Sequence, residues 1–198
     1  MKKILKAAVA VTVALSCMPA FADKSDNDEN SVFSSKTFKS MELRNIGPAY
    51  MSGRIADIAV DQNNPSTWYT AVGSGGVWKT TNAGTTWSPI FDKQAVYSIG
   101  DVTIAPSNSN IIWVGTGENN GGRHISFGDG VYKSLDGGQT WKNMGLKKSE
   151  HVSDIIIHPT NPDIVWVSAQ GPLWTSGGER GLYKTTDGGE TWKQVLTP

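Results

Sequence analysis

Apolar positions in this chain come in short runs rich in β-branched and aromatic residues, divided by Gly, Pro, Asn and Asp. That is the punctuation of strands and turns, and no stretch keeps a helical period. From Arg54 onward the pattern repeats. IADIAVDQNNPSTWYTAV with GGVWKTTNAGTTW is followed by GDVTIAPSNSNIIWVGTG with DGVYKSLDGGQTW, then by SDIIIHPTNPDIVWVSAQ with RGLYKTTDGGETW. Asp57, Asp101 and Asp154 correspond, as do Trp68, Trp113 and Trp166, and as do Trp87, Trp141 and Trp192. The last three lie 54 and 51 residues apart (141 − 87 and 192 − 141), a period near that of propeller blades rather than helical solenoids.

Each copy divides into four runs, which in the third cover 152–158, 164–169, 181–185 and 191–196. Consecutive Ile155, Ile156 and Ile157 predict an innermost strand buried on both faces. The expected fold is all-β: a β-propeller segment of about three four-stranded antiparallel blades, near 53–92, 97–146 and 150–198, within a segment 42–198. Propellers typically have about 4 to 8 blades, so an incomplete ring is expected, with open faces met by self-association or by missing C-terminal blades.

The turn between the third and fourth runs carries the most specific motif. Thr185-x-Asp187-x-Gly189-x-Thr191-Trp192 and Ser134-x-Asp136-x-Gly138-x-Thr140-Trp141 share one form, and Thr80-x-Asn82-x-Gly84-x-Thr86-Trp87 has Asn for Asp. A short side chain that accepts backbone N–H bonds, a glycine for a restricted backbone and a Trp that packs between blades make a structural turn. These are Asp boxes. With them in register, the chain resembles Asp-box (BNR) repeat propellers of the sortilin N-terminal type, in the WD40/YVTN-like superfamily, and is similar also to xyloglucanase and photosystem II assembly-factor propellers. NIGPAYMSGRIADIAVDQ with GSGGVWKTTNAGTTW resembles large exported bacterial proteins often labelled glycosyl hydrolases. The likeness implies the fold; the Asp box occurs in enzymes and non-enzymes alike, so it implies no catalysis.

The N-terminus changes the compartment expected. Lys2, Lys3 and Lys6 precede an apolar run, and Ala20-Phe21-Ala22 offers a small-residue cleavage site, so 1–22 reads as an export signal, too short in its apolar part to span a bilayer. A periplasmic or extracellular product without a transmembrane segment is expected. Cys17 follows Leu15-Ser16, a poor lipidation signal. Residues 23–41 hold few apolar groups and read as a flexible polar leader. The 18 basic and 18 acidic residues balance, which disfavours nucleic acid as a partner. Cys17 is the only cysteine, and cleavage after Ala22 leaves no disulfide, thiol nucleophile or Cys-ligated zinc. With His124, His151 and His158 scattered, neither a metal nor another cofactor is expected.

The four-stranded blade puts Asp boxes opposite the loops between second and third strands. Those loops are short in copy one, at Gly73-Ser74-Gly75-Gly76, and long in copies two and three, ENNGGRHISFGD and GPLWTSGGER. Long loops on a rigid scaffold carry binding residues. Arg123, His124, Trp174 and Arg180 are therefore the ligand-binding candidates, and Glu118 and Glu179 the weak catalytic ones. Glu118 with Glu179 or Asp129 suits glycoside cleavage only at roughly 5 to 10 Å between carboxyls; solvated loop acids are the plainer reading. Trp174 reads equally as a platform for a sugar ring and as a pin for its own loop. Arg123, Arg180 and Arg54 suggest a carboxylate grip of the sialidase kind, without an assignable tyrosine nucleophile. Aligned on Gly75-Gly76, the xyloglucanase R-T-D-x-G-G motif puts Gly73 in place of its Asp and Ala71 in place of its Arg. The expectation is an exported non-catalytic propeller segment that binds a protein, peptide or glycan on its long-loop face. The alternative is the N-terminal portion of a carbohydrate-active glycoside hydrolase with catalytic residues elsewhere.

Overall fold

A computed structural model describes residues 53–122 and 125–197. The export signal, the polar leader, Arg123 and His124 lie outside the described residues. The first blade comprises β1 (Ile55–Val60), β2 (Trp68–Val72), β3 (Gly76–Thr80) and β4 (Ser88–Pro89). The second comprises β5 (Ile99–Ala105), β6 (Asn108–Thr116), β7 (Val131–Ser134) and β8 (Lys142–Asn143). The third comprises β9 (Val152–Ile157), β10 (Val165–Ala169), β11 (Gly181–Thr185) and β12 (Lys193–Leu196). Every sheet is an antiparallel meander in chain order. The described residues are thus three four-stranded blades of a β-propeller segment.

Strand alternation builds the core. In β6, Ile112 and Val114 turn toward the first blade and meet Tyr69, Ala71, Val77 and Phe91, while Ile111 and Trp113 turn toward the third and meet Val152, Ile155, Val165 and Val167. The continuous apolar run of β6 is therefore buried on both faces.

Two sequence expectations need correction. Ile155 and Ile157 of β9 are buried against the second blade, but Ile156, on the opposite face, is 57% exposed. The aromatic correspondence also shifts by one residue. Asp57 pairs with Ala71, Asp101 with Gly115 and Asp154 with Ser168, so the counterpart of Trp113 and Trp166 is Tyr69, not Trp68. Matching by Trp identity put Trp68 on the wrong face, because one residue along a strand reverses the side chain.

Candidate functional site

The meander separates two ends of each blade. At one end lie the Asp boxes. Asp136 Oδ1 accepts from the Ser134 hydroxyl (2.8 Å) and the Thr140 N–H (2.8 Å), and Oδ2 from the Thr140 hydroxyl (2.6 Å). Asp187 is held in the same way by Thr185 and Thr191, and Asn82 by Thr80 and Thr86. The small hydroxyl at the start of each box accepts in turn from the glycine N–H of Gly84, Gly138 or Gly189, at 3.0, 2.8 and 3.0 Å. These donors hold the Asp136 carboxyl down at about 2 and lower that of Asp187 further. The box tryptophans differ: Trp141 Nε1 donates back to the first blade's Ile90 O (2.9 Å) and Trp192 Nε1 to the second blade's Met144 O (2.7 Å), whereas Trp87 Nε1 donates to its own Gly84 O (3.1 Å).

At the other end the blades diverge. Glu118 follows β6 and is buried; Arg54, just before β1, forms an ion pair with its Oε2, and Ser74 donates to its Oε1 at 2.9 Å. Its carboxylate fills the space over Gly73, where a Cβ would meet Oε1 at 2.9 Å. The backbone is held too, since Glu118 N–H donates to Ser98 Oγ at 3.1 Å and Glu118 O accepts from His151 Nδ1 at 2.9 Å. That bond makes His151 the Nδ1–H tautomer, with Nε2 buried and unpartnered, and desolvation lowers its pKa. The imidazole fixes the turn before β9.

Glu179 is spent locally, accepting the Lys148 N–H at 2.7 Å. Arg180 donates to Pro172 O, and to Thr175 O at 3.4 Å, so its guanidinium braces its own loop. Asp129 Oδ2 accepts from the Tyr132 hydroxyl at 2.8 Å. Trp174 stands 73% exposed on the same loop as Arg180. Beside them an open cleft of about 650 Å³ is lined by Asn119, Gln170, Leu173, Arg180, Leu182 and Leu196. Among the described residues, no group of three or more His, Cys, Asp or Glu side chains is placed to hold a metal ion.

Asp101 is the most perturbed carboxyl. It is 8% exposed, and desolvation, with the charges of Asp57 and Asp154 behind it, pushes its pKa up to about 8. The three aspartates occupy one register position of the innermost strands β1, β5 and β9, toward the long-loop end. Sequence reading aligned them without their coupling. Ser74 and His151 were likewise missed as parts of the Glu118 clamp. Lys79, Lys133 and Lys184 carried a signal, recurring as VWK, VYK and LYK in the three copies.

The family described as Sortilin-Vps10 (sortilin, neurotensin receptor 3) matches residues 75–198. No curated protein matches by sequence. Among solved structures, an ancestral GH74 enzyme is similar at 21% identity and a TM-score of 0.54, covering 73% of this chain and 19% of its own. The Niastella koreensis GH74 enzyme is similar at 27% identity and a TM-score of 0.52, covering 70% of this chain and 21% of its own. YCF48 from Cyanidioschyzon merolae is similar at 21% identity and a TM-score of 0.50, covering 74% and 38%. The chain thus spans about a fifth of the two GH74 enzymes and under two fifths of YCF48.

Proposed function

The chain belongs to the Sortilin-Vps10 family, and from that premise we propose that it is an exported, non-catalytic propeller segment that binds a protein, peptide or glycan on its long-loop face. One observation carries the reading: Glu118 and Glu179, the acids that would serve catalysis on that face, are already occupied, while a large aromatic is free. Glu118 is buried under Arg54 and Ser74, and Glu179 caps the Lys148 N–H. Trp174, exposed on the rim of the same loops, offers the flat apolar surface that sugar rings and peptide side chains stack on. The cleft between Asn119, Gln170 and Leu182 supplies amide groups and apolar wall within the same face. Export rests on the N-terminal Lys2-Lys3 to Ala22 pattern.

The test is binding of soluble β-glucan and peptide arrays by the full chain, with Trp174→Ala beside it. Retained folding with at least tenfold weaker binding supports the reading; unchanged binding overturns the assignment of the face. The alternative, part of a carbohydrate-active hydrolase, draws on the likeness to the Niastella koreensis GH74 enzyme. Polysaccharide hydrolysis that disappears in Glu118→Gln or Glu179→Gln without loss of fold would replace the first reading with the second.

A further inference from the structure

Four steps among the described residues join Asn or Asp to glycine: Asn120-Gly121, Asp129-Gly130, Asp136-Gly137 and Asp187-Gly188. Such a step can react with itself. The glycine nitrogen attacks the side-chain carbonyl carbon of the residue before it, and the missing Cβ makes this approach the least hindered that a chain offers. The side chain must be free to swing onto the backbone, the glycine N–H must be unbonded, and a five-membered ring must have room to form.

The three aspartyl steps fail these conditions. In the boxes, Asp136 and Asp187 are held by the hydroxyls and N–H groups that flank them. Their glycine nitrogens are engaged as well: Gly137 N–H donates to Asn110 O at 3.0 Å and Gly188 N–H to Asp163 O at 2.9 Å. Asp129 accepts from the Tyr132 hydroxyl, its own N–H donates to Thr116 Oγ1 at 2.8 Å, and Gly130 is buried where Gly145 O would block even a Cβ.

Asn120-Gly121 meets all of them, and it is the only Asn-Gly step in the sequence. Both residues are exposed, and a Cβ at Gly121 would meet nothing within 4 Å. Among the described residues, neither the Asn120 side chain nor the Gly121 N–H has a hydrogen-bond partner. The chain just before the step is fixed: Glu118 is clamped, Asn119 Nδ2 donates to Gly100 O at 2.8 Å, and Asn119 O accepts from Gln170 Nε2 at 3.1 Å. Just after it, Gly122 lies beside Arg54, whose Nη2 is 3.8 Å from where a Gly122 Cβ would stand.

We propose that Asn120-Gly121 is a self-modification site, at which the folded chain turns a neutral amide into a carboxylate on the wall of the long-loop cleft. The Gly121 nitrogen bonds to Asn120 Cγ, the Cγ–Nδ2 bond breaks, and ammonia leaves with the Gly121 amide proton. Water then opens the cyclic imide at one of its two carbonyls. Opening at Cγ restores the ordinary link, with aspartate at position 120. Opening at the other carbonyl leaves isoaspartate, through whose side chain the backbone now runs, one carbon longer. No oxidant or reductant is needed, and solvent at this exposed step supplies the water. Either product places a negative charge beside Asn119 and Gly121, which line the cleft, and near the half-exposed Arg54. Charge on that wall then grows with the age of the molecule, whatever the face binds.

Peptide mapping by mass spectrometry tests this on the full chain, aged in mildly alkaline buffer with and without urea. Asn120 should convert in the folded chain within threefold of its rate in urea, giving isoaspartate and aspartate together. Asp136-Gly137 and Asp187-Gly188 should isomerise at least tenfold more slowly folded than unfolded. Gly121→Ala, whose methyl meets no neighbour and whose backbone needs no left-handed φ, should keep the fold and slow conversion at least tenfold. A folded-state rate at Asn120 more than threefold below that in urea overturns the proposal, and so does an unslowed Gly121→Ala chain. Box steps that react as fast folded as unfolded overturn its structural basis.

Discussion

Aspartate behaves oppositely at the two ends of these blades. At the Asp-box end, Asp136 sits in water yet is held ionised, to about 2, by a ring of hydroxyl and backbone donors. At the long-loop end, Asp101 is buried beside two other carboxylates and rises to about 8. The first arrangement satisfies itself within each copy; the second is shared between neighbouring copies, and its end of the blades holds Asp101 Oδ2, Asn119 Oδ1, Asp129 Oδ1, Ser149 Oγ and His151 Nε2 buried without partners. A scaffold is recognised by completed local chemistry, and a place where function can be grafted by chemistry left open.

Five substitutions separate the ends, in falling order of effect on stability. Trp113→Ala removes the ring that fills the junction over Gly189 and should lower unfolding free energy by about 3–5 kcal/mol, read by urea denaturation. Arg54→Ala strands the buried Glu118 carboxylate with Ser74 as its remaining side-chain partner and should cost about 1–3 kcal/mol, less than a fully buried pair because Arg54 is itself half exposed.

The next test uses pH, and its sign differs between the ends. A raised carboxyl leaves the folded state most stable while protonated, so the Asp101 contribution is full below about pH 4 and is lost as pH rises through about 8. Asp101→Asn should therefore raise the Tm at pH 9 relative to the unaltered chain and leave it nearly unchanged at pH 4. Asp136 works the other way: its contribution is present above about pH 4 and is lost as pH falls through about 2. The Tm deficit of Asp136→Ala should accordingly shrink between pH 5 and pH 2; a deficit independent of pH would refute the box assignment. Trp174→Ala, on an exposed ring, should change stability by no more than about 0.5 kcal/mol, so that any loss of ligand is a loss of contact.

What the sequence disclosed follows the same division. Strand number, blade period and box chemistry were legible because each rests on residues close in the chain, as in Ser134 with Asp136 and Thr140. Register was harder. Tryptophan identity suggested Trp68 as the partner of Trp113, and the pairing of Asp57 with Ala71 corrects it to Tyr69. The long-loop end was legible only as a location. Glu118 gave no sign that it would be buried, because Arg54 and Ser74 approach it from 64 and 44 residues away. Nor could Trp174 be separated from a packing residue until its exposure was seen.

The different partners of Trp87, Trp141 and Trp192 also give the junctions a polarity. The first blade's box tryptophan is held within its own blade, by Gly84 O. Each later blade borrows from the one before it: Trp141 from Ile90, Trp192 from Met144. The described junctions are thus directional, each box tryptophan handing its N–H back to the blade before it.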